Sequence, residues 1–193
     1  MDDRIEAKFL KIIRGDVQGW RAIAWRSLFN VLSKIYAVIV EIRLFFFKER
    51  LLRQAHVGCT VISIGNLTVG GTGKTPIVEM LARELQRGSR KVAILSRGYK
   101  KKRQFWLTKL LKKKKYDTFT DVVSDGKNVF MNARNAGDEP YMLAKNLPGV
   151  VVLVDKSRVR AAYLAVQKFN IDTILLDDGY QYLRLGRRHD VVL

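Results

Sequence analysis

Val61-Ile-Ser-Ile-Gly-Asn-Leu-Thr-Val-Gly-Gly-Thr-Gly-Lys-Thr-Pro76 decides how the rest of this chain is read. An apolar run suited to a strand feeds a glycine-rich turn ending in Gly73-Lys74-Thr75, and a helical pattern follows from Pro76. That order is the layout of a phosphate-binding loop. Glycines let successive backbone N–H groups point inward at phosphate oxygens, a lysine reaches the β- and γ-phosphates, and a Thr hydroxyl meets Mg²⁺. The nucleotide-binding set predicted here is Gly70, Gly71, Thr72, Gly73, Lys74 and Thr75. The helix beyond adds the positive end of its dipole. One position departs from the strict pattern: Thr68 stands where a glycine is expected five residues before Gly73.

The composition widens this reading. At 193 residues and 48% hydrophobic content the chain can bury a core of ordinary domain size. Its net charge of +18 predicts anionic partners, whether membrane, nucleic acid or phosphorylated substrate. Cys59 is the only cysteine, which excludes a disulfide framework and a cysteine-rich metal centre. With His56 and His189 as the only histidines, a histidine-based zinc site is not expected. The start, Met1-Asp2-Asp3-Arg4, has no apolar segment behind a basic flank and so does not read as a cleaved signal peptide.

Upstream of the loop, Trp20 to Gln54 reads as one long amphipathic helix. Arg26, Asn30, Ser33, Lys34, Ala37, Glu41 and Lys48 fall on one side; a wide apolar face running from Leu28 to Phe46 falls on the other. Lys34, Glu41 and Arg43 interrupt the apolar run before it reaches spanning length. An interfacial helix and an ordinary core-packing helix both fit, and Phe45-Phe46-Phe47 beside Lys48, Arg50 and Arg53 favours the interface.

Downstream, short apolar runs alternate with helical patterns. Strands are predicted at Thr60–Ile64, Val92–Leu95, Val150–Val154 and Thr173–Leu176, and helices at Ile77–Gln86, Glu139–Asn146 and Ser157–Phe169. The fold class is therefore α/β: a phosphate-loop-type parallel sheet with flanking helices. Phe119–Ser124 and Asn128–Met131 around Asp125-Gly126 add a small β-hairpin insertion. Lys100–Lys115 carries nine basic residues and no acid. A solvated loop, an anionic membrane contact and a nucleic-acid contact are all open to it, in that order.

Phosphoryl transfer needs oxygen ligands for a metal and a base near the acceptor. Asp177-Asp178-Gly179 closes a predicted strand, which puts both acids at the sheet edge that presents the phosphate loop. A turn with a capping Asp is the alternative. Gly137-Asp138-Glu139-Pro140 starts a predicted helix, where Asp138 fits an N-cap as well as a functional acid. Arg97, in Ser96-Arg97-Gly98-Tyr99 after a strand, is a candidate phosphate or substrate clamp. Cys59 and His56 have no evident chemical partner and read as structural.

These pieces together resemble one family. Asn66–Pro76, Ser96–Tyr99, Val123–Gly126, Gly137–Pro140 and Asp177–Gln181 occur in the order and rough spacing of the tetraacyldisaccharide 4'-kinases, including the atypical loop with Thr68. The resemblance implies transfer of the γ-phosphate of ATP, with Mg²⁺, to the 4'-hydroxyl of a disaccharide lipid A precursor at the cytoplasmic face of the bacterial inner membrane. It implies Lys74 as a catalytic phosphate-binding residue and Asp138 as general base. It implies Thr75, Glu139, Asp177 and Asp178 as the oxygen ligands around the metal. Residues 1–55 then form a peripheral membrane-docking region and 56–193 the kinase domain. No nucleic acid is expected and no protein partner is inferable. Tyr180 and Tyr182 depart from a motif that usually reads Asp-Asp-Gly-Phe-Gln-His. The resemblance further implies that the sheet, incomplete at Leu193, continues in a second lobe carrying a histidine that partners the base, so that this chain is an N-terminal portion. Another phosphate-loop ATPase or ligase, or a basic binding module, remains the alternative.

Overall fold

The computed structural model describes residues 19–66, 73–97 and 120–193. Gly70, Gly71 and Thr72 of the loop, and the basic run Lys100–Lys115, lie outside them. The chain divides into two units, Met1–Arg53 and Gln54–Leu193.

The first unit holds helix α1, Trp20–Lys48. It is shorter than the predicted Trp20–Gln54, and the reason is local. Arg50 turns left-handed at φ 57°, and the Leu52 N–H closes back on the Phe46 carbonyl, so the last carbonyls are satisfied without a further turn. Apolar side chains line the helix and stay in contact with solvent: Leu28, Val31, Ile35, Val38 and Ile42 are each at least 45% exposed. Among the described residues no helix is long and apolar enough to cross a membrane.

The second unit is a sheet with helices on both faces. Strands β1 (Thr60–Gly65), β2 (Val92–Ser96), β3 (Asp121–Asp125), β4 (Val151–Val154), β5 (Thr173–Asp177) and β6 (His189–Val192) are arranged in the order β3-β4-β2-β5-β1-β6. All neighbours run parallel except β3 against β4. The continuous apolar character of β2, β4 and β5 follows from their place in the middle of the sheet, buried on both sides. One face packs on helix α2 (Lys74–Arg87) and helices α3 (Ala133–Ala136) and α4 (Asp138–Asn146), through Val78, Ala82, Ala136, Leu143 and Leu147. The other packs on helix α5 (Arg158–Phe169), through Ala161, Ala162 and Ala165, and on Val57 and Leu185. Ser157 caps α5 by accepting from the Arg160 N–H, and left-handed Asn170 ends it.

The hairpin expectation needs correction. The turn forms: the Asp125 carboxylate accepts from the Lys127 and Asn128 N–H groups, and Gly126 takes φ 90°. Its second strand, however, shrinks to a single bridge between Ser124 and Val129. β3 instead joins the main sheet as its antiparallel edge, with an irregularity between Val122 and Ser124. Pairing with β4 buries Val123 completely, which a free hairpin would leave wet. Helix α3 was not predicted from sequence; Asn132 nucleates it by capping the Asn135 N–H.

Candidate functional site

The carboxyl ends of the parallel strands share one edge, and the candidate residues gather there. β1 ends at Gly65, and α2 begins at Lys74 behind Gly73, whose φ of 71° suits glycine. Lys74 and Thr75 therefore occupy the first turn of α2, where backbone N–H groups lack intrahelical acceptors, and Pro76 sacrifices nothing there.

Asp177 ends β5 and pairs in register with Ile64 of β1, so it sits between the end of β1 and the end of β2. It is buried, and Ser96 at the end of β2 hydrogen-bonds to it. Burial raises its carboxyl to about 6; Glu139 and Asp178 push the same way, while Lys74 and Ser96 oppose. Glu139 and Asp178 are the acids that act on Asp177, and Lys74 and Arg158 supply the positive charge nearby. Asp178 follows in a left-handed conformation, φ 52°, and its Oδ1 accepts from Lys74 Nζ at 2.9 Å.

The turn from Asp177 to Tyr180 is held from several sides. The Gly179 N–H donates to the Ile64 carbonyl. Arg158, the first residue of α5 and buried, donates through Nη2 to the carbonyls of Asp177 (3.2 Å) and Asp178 (3.3 Å). Its guanidinium lies 5.2 Å from the Tyr182 ring centre. From another element, Arg187 Nη1 donates to the carbonyls of Gly179 (3.2 Å) and Tyr180 (2.8 Å). The fit between turn and strand is close: a Cβ at Gly65 would stand 2.6 Å from Tyr180 Cβ.

Asp138 and Glu139 begin α4 at the same edge, both exposed. Asp138 is not the N-cap considered from sequence. Gly137 caps the helix without a side chain, at φ 100°, and Asp138 is the first helical residue. Neither carboxylate makes a hydrogen bond among the described residues. Arg97 leaves β2 exposed, near enough to Arg158 to depress that guanidinium's pKa, though burial contributes more.

The donor set suits a hard cation. Thr75 and the carboxylates of Asp177, Asp178 and Glu139 offer oxygen only; Asp177 is raised chiefly by burial, with Glu139 and Asp178 adding to it. Among the described residues no three such side chains stand close enough to hold a metal alone. Mg²⁺ commonly needs just one or two carboxylates and completes its shell with phosphates and water. A cleft of about 590 Å³, lined by His56, Cys59, Arg90, Asp172 and Arg188, opens elsewhere, at the amino-terminal ends of the strands. Burial and the nearby Asp172 push the Cys59 thiol up to about 11, which agrees with a structural reading.

Sequence reasoning missed Arg158 and Arg187. A sign of the first was present: Arg158 shares the helix face of Ala161, Ala162 and Ala165, small residues that admit a close approach to the sheet. Arg187 lies in Arg187-Arg188 and carries no such signature.

Strand, glycine turn, Lys-Thr at a helix start and acids on the neighbouring strand define a phosphate-loop α/β protein. The family model described as tetraacyldisaccharide-1-P 4'-kinase matches residues 25–193. The tetraacyldisaccharide 4'-kinase of Pelobacter propionicus is 40% identical over 90% of this chain and 48% of its own length. That of Geobacter metallireducens is 41% identical over 86% and 46%. Among solved structures, the "apo" form LpxK from Aquifex aeolicus in complex with ATP superposes with a TM-score of 0.72 at 35% identity, covering 87% of this chain and 48% of that one. The chain belongs to the tetraacyldisaccharide-1-P 4'-kinase family, and it spans about half the length of the curated relatives it matches.

Proposed function

We propose that this chain forms the ATP-binding part of a kinase that phosphorylates the 4'-hydroxyl of a tetraacyldisaccharide lipid A precursor. The observation that carries the reading is the meeting of Lys74 with Asp177 and Asp178 at the edge where β1 turns into α2. A Lys at a helix start and acids on the adjacent strand are the parts that hold triphosphate and Mg²⁺. The solved relative described in complex with ATP, at 35% identity, supports the same ligand.

In this reading Gly70–Gly73 and the first turn of α2 surround the phosphates and Lys74 screens the transferring group. Thr75, Asp177, Asp178 and Glu139 would hold Mg²⁺, which supplies charge neutralisation on the phosphate oxygens. Asp138, exposed and without a hydrogen-bond partner among the described residues, takes the proton of the acceptor hydroxyl. Arg97 guides an anionic group. The exposed apolar face of α1 rests on the cytoplasmic surface of the inner membrane, where an acylated acceptor resides.

Calorimetric titration of the chain with ATP and Mg²⁺ tests the nucleotide site. Lys74→Ala should abolish the binding heat in a variant that keeps its fold. Unchanged affinity in that variant would end this reading.

A further inference from the structure

The four successive carbonyls of Asp177, Asp178, Gly179 and Tyr180 are taken by two arginines. Arg158, from α5, holds the first two, and Arg187, from the segment before β6, holds the last two. The two side chains come from elements separated in sequence and meet on one turn. Neither is a surface residue: Arg158 is 4% exposed, and the Arg187 side chain is 12% exposed.

Two features set these contacts apart from ordinary packing. Burying a guanidinium is costly, and a buried arginine normally recovers that cost with a carboxylate. Among the described residues Arg158 has only carbonyls as hydrogen-bond acceptors and its buried Nε has no partner, whereas Arg187 also pairs with Asp190 at 3.1 Å. Asp177 and Asp178 lie close by, yet Arg158 binds the backbone that carries them and leaves their carboxylates to Lys74 and Ser96. The second feature is the strain of the turn. Asp178 is held at φ 52°, in the left-handed region that an aspartate tolerates better than most residues but that still costs energy without local support. The hydrogen bonds to the carbonyls on either side of Gly179 supply that constraint. Tyr182 closes over Arg158 from the outside.

We propose that Arg158 and Arg187 are positioning residues: together they hold the Asp177–Tyr180 turn and so fix where the Asp177 and Asp178 carboxylates stand against Lys74. This rests on the nucleotide-site reading given above. A planar guanidinium can bridge adjacent acceptors where a lysine ammonium acts as a point charge, so Arg187→Lys should not substitute fully. Residues that orient metal-binding groups typically control affinity for the metal by about 10–100-fold.

Two measurements on the 193-residue chain test this. The first is ATP affinity with and without Mg²⁺, for wild type, Arg158→Met, Arg187→Lys, Tyr182→Leu and Lys74→Ala. Loss of either arginine should lower the gain in affinity produced by Mg²⁺ by about tenfold or more, with affinity in its absence within about twofold of wild type. Tyr182→Leu should reduce the gain by less. A purely structural role would lower the unfolding temperature and leave the Mg²⁺ gain of the folded protein intact, which would overturn the proposal. If Arg158→Met does not fold, Arg187→Lys and Tyr182→Leu decide by the same criterion. The second measurement is hydrogen exchange across residues 177–182, which needs no ligand. Exchange there should accelerate in the arginine variants while β2 and β4 stay protected; a turn as protected as in wild type overturns the proposal even if ATP does not bind. Failure of wild type to bind ATP, with the exchange result as expected, would instead refute the nucleotide site and leave the arginine pair as the brace of that turn.

Discussion

The ammonium of Lys74 lies 2.9 Å from Asp178 Oδ1, a contact that spans 104 residues of sequence. It joins the helix that follows the phosphate loop to the end of β5. The Asp178 side chain is 69% exposed, so in water the pair contributes little to stability, about 0–1 kcal/mol. Its meaning is positional. The cation expected to receive phosphate rests on a carboxylate that a triphosphate must displace. Asp178→Asn removes both the competitor and a like charge, so ATP affinity measured without Mg²⁺ should rise by up to about fivefold. Calorimetry in chelator checks this, and a weaker affinity there would show that Asp178 assists rather than competes.

Asp177 carries a pH signature. Its carboxyl ordinarily titrates at 3.8, and in the fold burial lifts it to about 6. Between these values the native state binds more protons than the unfolded chain, so stability is greatest below the lower value and is lost as pH rises to the upper. The cost above pH about 6 is on the order of 3 kcal/mol. Asp177→Asn should therefore be more stable than wild type at pH 7 without ligands, and the difference should shrink as pH falls through about 4 and level off below about pH 3. Urea unfolding across that range is the check.

Gly65→Ala tests the approach of β1 to the acid turn. The added Cβ would stand 2.6 Å from the Cβ of Tyr180, a side-chain atom fixed to backbone, so the strand end and the turn must separate. The expected destabilisation is about 1–3 kcal/mol. A urea midpoint indistinguishable from wild type would mean that the turn yields easily.

Helix α1 should bind anionic vesicles in a salt-sensitive way. Burial of its apolar face drives the association, and each nearby basic residue adds about 1 kcal/mol on a charged surface. Co-sedimentation of the chain with and without Trp20–Lys48 measures this. Equal binding by both would transfer membrane contact to another part of the chain.

The sheet was legible because β2, β4 and β5 are apolar throughout and buried on both faces, which gives the same signal in sequence and in structure. The placement of Lys74 and Asp138 in the first turns of their helices and of Asp177-Asp178 at a strand end was legible because glycines and strand ends mark backbone geometry. What escaped depended on tertiary contact. β3 reads as half of a hairpin because its turn chemistry is local, whereas its pairing with β4 is not. The end of α1 escaped because Arg50, not a glycine, adopts the left-handed conformation there. Arg158 and Arg187 bond to carbonyls, and a carbonyl has no letter in the sequence.

The strand order has a consequence for how the molecule comes into being. β1 and β2 are synthesised first but do not pair with each other; β5 inserts between them, joining residue 60 to residue 173. On the ribosome the two early strands therefore wait, each with open edges, until the last central strand has left the exit tunnel. Pairings so distant along the chain close slowly. The strand that joins β1 to β2 is also the one that ends in Asp177, so the acid edge of the site is assembled in the same late event that brings the two early strands into one sheet.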